Sequence, residues 1–411
     1  MRRHRGLAAR LCNKFGGSLG APHAAARRLK LPTRAGNLAS WRAELRPACR
    51  ASSYLMTVVA FGFAGPLMRF SKIPESALVY LKGKGSLGKT TVLQAMVSVF
   101  DNPDRKALQT LAITDRALEE KASESNDLSV PLDEASRTPG NIRTKLDELG
   151  HMIASGQGCI RSKKATSDET LANLTWLTIA VVTGETPLND HEHPTDRLLG
   201  AQVRAIEIVI SSKEEGGIFD RRKDDDPSPK EMADRVRSVV EANFGYALPA
   251  FLQAFIDNLA HSKQRACDLT ESFIKRVGVD KDGWESRFAS KFALAYAAGR
   301  LAAEFRVAPW RPKDVFPRIA RVYRRSRQNL YTVDEATDNL LQQLADPGYR
   351  KQLLPWVSKG KALPAKHAHA PGFRRRQNGA IVLALHRARL QDLVPRVRQA
   401  RRWSPRSARG A

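Results

Sequence analysis

Cysteine is scarce in this chain. Cys12, Cys49, Cys159 and Cys267 are the only four among 411 residues, and no two of them form a C-x-x-C pair. That pattern excludes a disulfide scaffold and a cysteine zinc module, and it suits a reducing, cytoplasmic setting. Long apolar runs are missing as well. The longest, YLMTVVAFGFAGPLM at 54–68, contains Gly62, Gly65 and Pro66. It falls short of the roughly 18–20 residues that span a bilayer, so it reads as a buried helix, with no membrane partner. A secretory leader is not expected, because Arg10 interrupts the first leucines and no apolar core follows.

Acid is the third shortage, and it is local. Residues 1–50 hold twelve Lys or Arg against one acid, Glu44, and residues 361–411 hold thirteen against one, Asp392. Of the formal charge of +26, the two ends therefore carry +11 and +12, and residues 51–360 only +3. Basic, Arg-rich ends match a polyanionic partner, above all nucleic acid. For residues 1–35 an unfolded Arg/Ala-rich extension is an equally good reading. The hydrophobic content of 42% and charged content of 27% exclude wholesale disorder.

What the chain does have is an alternation of strands and helices. Residues 77–81 (ALVYL), 128–132 (LSVPL), 176–182 (WLTIAVV) and 205–210 (AIEIVI) read as buried strands. Helices are expected at 37–50, 54–64, 90–100, 115–122 and 142–154. In 90–100, Leu93, Met96, Val97 and Phe100 fall at i, i+3, i+4, i+7, an amphipathic pattern. The alternation implies an α/β domain with a doubly wound parallel sheet. Beyond residue 230 the pattern is helical, notably at 288–305 and 315–331. The stretch 373–385 (FRRRQNGAIVLAL) reads as a hairpin turning at Asn378-Gly379.

Gly83-Lys84-Gly85-Ser86-Leu87-Gly88-Lys89-Thr90 matches G-x-x-x-x-G-K-[ST] between a strand and a helix. Gly83, Gly85 and Gly88 let backbone N–H groups, with those of Ser86, Leu87 and Thr91, curl around phosphate oxygens. The helix N-terminus adds positive partial charge. Lys89 is placed for the β- and γ-phosphates of ATP and the Thr90 hydroxyl for Mg²⁺. Downstream, a strand ends in Asp133-Glu134. Asp133 is expected to hold the Mg²⁺, and Glu134 to orient and deprotonate water, which favours hydrolysis over transfer to a small substrate. Pro131 removes a ladder N–H from that strand, so a bulge or kink is expected. Thr183 closes the neighbouring strand and is either a γ-phosphate sensor or a turn residue. Arg204, just before an edge strand, is either a finger for a neighbouring subunit's nucleotide or a surface ion pair. The basic helical face of Arg318, Arg321 and Arg325 is either a phosphate contact or solvated.

These blocks in order resemble the family of the domain of unknown function 927, the ATPase part of Cch-like helicases of bacterial mobile elements and phages. The residues are GKGSLGKTT (83–91), ITDRALEEKASESND (113–127), PLDEA (131–135), ASGQGCIR (154–161), WLTIAVVTGE (176–185), GAQVR (200–204), GGIFD (216–220) and FALAYAAGRLA (292–302) followed by Pro309-Trp310. The resemblance implies a P-loop NTPase of AAA+/RecA-like, MCM-like type, assembled as a homo-oligomeric ring such as a hexamer and translocating on DNA. It supports the finger role of Arg204. It also implies a hairpin at 156–164 that offers Arg161, Lys163 and Lys164 to DNA phosphates. Cys159 stands where the family usually has lysine, and the family's upstream half is missing, as in a truncated or decayed element protein.

The resulting organisation is a basic extension (1–35), a helical segment (36–75), the ATPase core (76–212), a helical lid (213–340) and a basic, winged-helix-like region (341–411). In the last, Arg374, Arg375 and Arg376 would lie along DNA. An ATP-hydrolysing DNA motor is the leading expectation. A nucleotide-binding, DNA-binding remnant without unwinding activity and a P-loop phosphotransferase are the alternatives.

Overall fold

A computed structural model describes residues 33–71, 74–104, 108–133, 142–159, 174–188, 199–279, 283–328, 330, 353–355, 372–377 and 380–385. Its centre is a five-stranded, wholly parallel sheet of β1 (Ala77–Lys82), β2 (Gln109–Thr110), β3 (Ser129–Asp133), β4 (Ile179–Gly184) and β5 (Ala205–Val209), in the order β2-β3-β4-β1-β5. Side chains alternate across each strand, so the sheet feeds two cores. Leu78, Tyr80, Val130, Leu132, Ala180 and Val182 meet α4 (Asp115–Glu124) and α5 (Ile142–Ser155) on one face. Val79, Leu81, Ile179, Val181, Ile206 and Ile208 point into a larger core on the other.

That larger core is built around α2 (Ser53–Ala64), every residue of which is buried. With the 3₁₀ turn Gly65–Phe70 the apolar stretch is long enough to cross a membrane, but here it is enclosed by protein. Helix α1 (Leu38–Ala51) precedes it, and α3 (Lys89–Val97) packs against it, while α2 also meets the sheet directly through Tyr54 on the Val209 carbonyl and Ser129 on the Phe61 carbonyl. Around it pack α7 (Pro229–Ala242), α8 (Ala247–Asp257), α9 (Leu259–Val277), α10 (Trp284–Glu304) and α11 (Pro312–Gln328). Gly62 permits the close approach of α2 to α3, since a Cβ there would lie 3.0 Å from the Met96 carbonyl oxygen.

Two local expectations are corrected. Helix α3 is not amphipathic: Thr91 to Val97 are all buried, because α2 and α7 pack on it in the same core as the sheet. Its polar Gln94 is satisfied inside by the Pro103 carbonyl at 3.0 Å. Nor does Pro131 break its strand. Residues 129 to 132 of β3 pair one-to-one with Ile179 to Val182, with no bulge. On the other flank β2 pairs with Leu132 and Asp133, so among the described residues no strand runs beside Pro131 there and its missing N–H costs little.

The anticipated hairpin is present as β7 (Gly372–Gln377) and β8 (Ala380–Leu385), with β6 (Leu354–Pro355) parallel to β7. Arg374 is exposed. The Asn378-Gly379 turn and the side chains of Arg375 and Arg376 lie outside the described residues.

Candidate active site

All the chemistry-bearing loops leave the sheet at its C-terminal edge, where open α/β sheets bind ligands. β1 runs into Gly83–Gly88, β3 ends at Asp133, and β4 delivers Thr183, Gly184 and Glu185. Because β4 lies between β1 and β3, Thr183 is held between the phosphate loop and Asp133.

The loop has the backbone that anion binding needs. Ser86 has a φ of 62°, and Gly88 caps α3 at φ 91°, ψ 13°, a left-handed conformation that L side chains resist. A Cβ on Gly88 would also lie 2.6 Å from Ile218 Cδ1. The loop rests on the segment after β5: the Ile218 amide donates to the Leu87 carbonyl at 3.2 Å, and Gly83 sits against Ile210 and Leu87. Thr91 is buried in the first turn of α3. Gly85 and Ser86 are exposed, as a ligand-facing loop requires.

Lys89 donates to the carbonyls of Gly83 at 2.5 Å and Lys84 at 2.7 Å, and its Nζ is 3.9 Å from Glu185 Oε1. Desolvation lowers its pKa, opposed by the charges of Glu185 and Asp133. Asp133, buried, is the convergence point of the site. Thr90 Oγ1 donates to its carboxylate at 3.1–3.2 Å, and Thr183 Oγ1 at 2.5 Å. A buried carboxylate beside a threonine hydroxyl is a pair of hard oxygen donors, which fits Mg²⁺ held chiefly by waters and phosphate oxygens. Among the described residues no cluster of three or more His, Cys, Asp or Glu forms an all-protein metal site.

The structure thus brings Lys89, Thr90, Asp133 and Thr183 together. Glu134, Arg161, Lys163 and Lys164 lie outside the described residues. Arg204 is not part of the same chain's site. It ends α6 (Leu199–Arg204) and enters β5 beside the beginning of β1, with Ala205 opposite Leu78. The five-residue rise from Leu78 to Gly83 puts it roughly 16 Å from the loop along the sheet.

Glu185 is not a site residue by the motifs alone, yet among the described residues it is the acid that ion-pairs with the loop lysine. Its one sequence signal is its position two residues after Thr183. The turn that carries it is pinned from below. Tyr80 Oη donates to the Thr186 carbonyl at 2.8 Å, and the buried Glu207 accepts the Leu188 amide. Burial, then the charges of Glu207 and Glu185, raise the Tyr80 pKa above the ordinary phenol range. The basic face of α11 also differs from expectation. Arg321 pairs with Asp220 at 2.8 Å, and Arg325 bonds Ser211 and Glu215, so two of its three arginines clamp the segment after β5.

Residues 21–170 match the profile of a family described as domain of unknown function (DUF927); the motifs after residue 170 lie beyond that match. No curated protein matches the chain. Among solved structures the chain is similar to the SCCmec type IV Cch active helicase, with 18% identity and a TM-score of 0.65. The likeness covers 88% of this chain and 64% of that one, so the chain spans a little under two-thirds of the helicase's length. A full-length MCM homolog from Methanopyrus kandleri is a distant neighbour, at 13% identity and TM-score 0.31, covering 74% of this chain and 64% of that one. Residues 21–170 thus match DUF927, and the α/β fold of the chain is similar to that of the Cch helicase.

Proposed function

We propose that the protein is an ATP-hydrolysing, DNA-binding motor of the helicase type, working as a homo-oligomeric ring. One observation carries the reading: Thr90 and Thr183 both donate to buried Asp133, beside a phosphate loop whose lysine lies at the same sheet edge. Lys89 leaves the loop carbonyls to take the β- and γ-phosphates, and the backbone amides of 84–88 cradle them. Thr90 and Asp133 would hold Mg²⁺, which supplies charge neutralisation on the triphosphate. Glu134, directly after Asp133, orients and deprotonates the attacking water. Thr183 reports the γ-phosphate to β4. Arg204, too far from its own loop, stabilises transition-state charge at a neighbour's site.

In this reading 76–212 is the motor core, 213–340 its helical lid and 341–411 a DNA-binding winged helix. Arg161, Lys163, Lys164 and Arg374 to Arg376 contact the backbone. The test is ATP hydrolysis by the purified chain with and without DNA, followed by strand displacement on a forked duplex. Hydrolysis that DNA stimulates supports the motor, and absence of hydrolysis in both conditions refutes it.

A further inference from the structure

Helix α1 carries Arg42, Arg46 and Arg50 at i, i+4, i+8, one stripe that starts half-buried at Arg42, on the border of the buried face of Trp41, Leu45, Ala48 and Cys49, and runs to the exposed side at Arg46 and Arg50. Like charges at i, i+4 are mutually unfavourable. Arg50 is relieved by Asp226 at 2.9 Å. Among the described residues neither Arg42 nor Arg46 has an acidic partner, and the Arg42 Nε is buried with no hydrogen-bond acceptor. Arg306 joins them from the end of α10. Desolvation lowers the Arg42 pKa, and the charges of Arg46 and Arg306 lower it further. Arg306 itself has a φ of 58°, a left-handed position after a helix where glycine is the usual occupant. The chain thus accepts repulsion, an orphaned donor and backbone strain to hold three guanidinium groups together.

We propose that the outer face of α1, through Arg42 and Arg46 with Arg306 beside them, binds the phosphate backbone of nucleic acid. Three arginines and no lysine suit the bidentate recognition of phosphate oxygens through their terminal nitrogens. The ligand class rests on the motor reading above; the need for an anion does not. The location adds a consequence. The Ala51 carbonyl at the end of α1 accepts from the Arg221 amide, Ser52 Oγ donates to the Ile218 carbonyl, and Ile218 bonds the phosphate loop at Leu87. A strand bound on α1 is therefore two contacts from the nucleotide site.

The test is fluorescence anisotropy of a labelled oligodeoxythymidylate titrated with the full chain at several salt concentrations, wild type against the combined variant R42Q/R46Q/R306G. Loss of three phosphate contacts should weaken binding by about tenfold or more at low salt and flatten the log K against log salt slope by about 2. The melting temperature should hold or rise, since repulsion and a strained φ are removed, and DNA-free ATP hydrolysis should persist. Unchanged affinity and slope, or no binding by the wild type, would overturn the proposal. So would a lower melting temperature or lost DNA-free hydrolysis, which would assign the arginines to the fold, and so would an acidic polypeptide that binds this face while DNA does not. A wild type that binds DNA through these arginines yet hydrolyses no ATP would sink the motor reading alone.

Discussion

Replacing Glu185 by glutamine should tighten nucleotide binding. The carboxylate is 3.9 Å from Lys89 Nζ, and a Cβ on Gly85 would lie 3.3 Å from its Oε1. In the empty loop it is a counter-ion to the lysine, and once phosphates arrive it is a like charge beside them. Both effects oppose binding, so removing the charge acts in one direction. A unit charge at about 4 Å is worth ~1 kcal/mol in water and ~4 kcal/mol at an effective dielectric near 20. The Glu185 side chain is 58% exposed, which selects the lower figure. About 1 kcal/mol corresponds to roughly fivefold in affinity. Titration of wild type and E185Q with a fluorescent ADP analogue reads this directly, and the difference should shrink as salt rises. Equal or weaker binding by E185Q at low salt would show that Glu185 does not act as a competing charge.

Gly88→Ala should destabilise the protein by about 1–3 kcal/mol, because the residue adopts a left-handed backbone and its Cβ would press on Ile218; urea unfolding measures it. Glu75 accepts from Lys291 at 3.1 Å and from Arg287, and Lys291 is 5% exposed. Glu75→Ala strands that ammonium and should cost about 3–5 kcal/mol, most of it recovered in the double variant with Lys291→Met. The Glu75 pKa is lowered; desolvation is the largest influence and opposes this, while Lys291 and Arg287 prevail. Its contribution is therefore present above the ordinary glutamate pKa and lost as pH falls through the depressed one, which an acid titration of wild type against Glu75→Gln should resolve. Arg204→Ala should bind nucleotide normally and fail to turn it over. Mixing it with Lys89→Ala subunits should restore part of the activity, since each variant supplies the half-site that the other lacks.

The phosphate loop was legible because its chemistry demands adjacent residues: Gly83 to Thr90 stand in line whatever the rest of the chain does. Asp133 was legible for the related reason that a buried apolar strand ending in acid is a local pattern. What escaped is non-local. That α3 is buried all round depends on α2, which no periodicity within 90–100 reveals. Arg321 and Arg325 look like a free basic face in one helix, yet their partners Asp220 and Glu215 stand 101 and 110 positions earlier. Strand β2 has only two residues, too few to leave an alternating pattern. Pro131 looks disruptive in sequence because nothing local shows that β2 begins opposite Leu132, one residue beyond it. Glu185 became a site residue only when the turn pinned by Tyr80 and Glu207 was seen to bring it to Lys89.

The central claim is that Lys89, Thr90, Asp133 and Glu134 form a site for ATP hydrolysis. Single-turnover hydrolysis of radiolabelled ATP, with nucleotide binding measured on the same samples, tests it most directly. The wild type should release phosphate, Lys89→Ala should neither bind nor release, and Glu134→Gln should keep binding without release. Release by Glu134→Gln at the wild-type rate would contradict it, as would a wild type that binds ATP and leaves it intact.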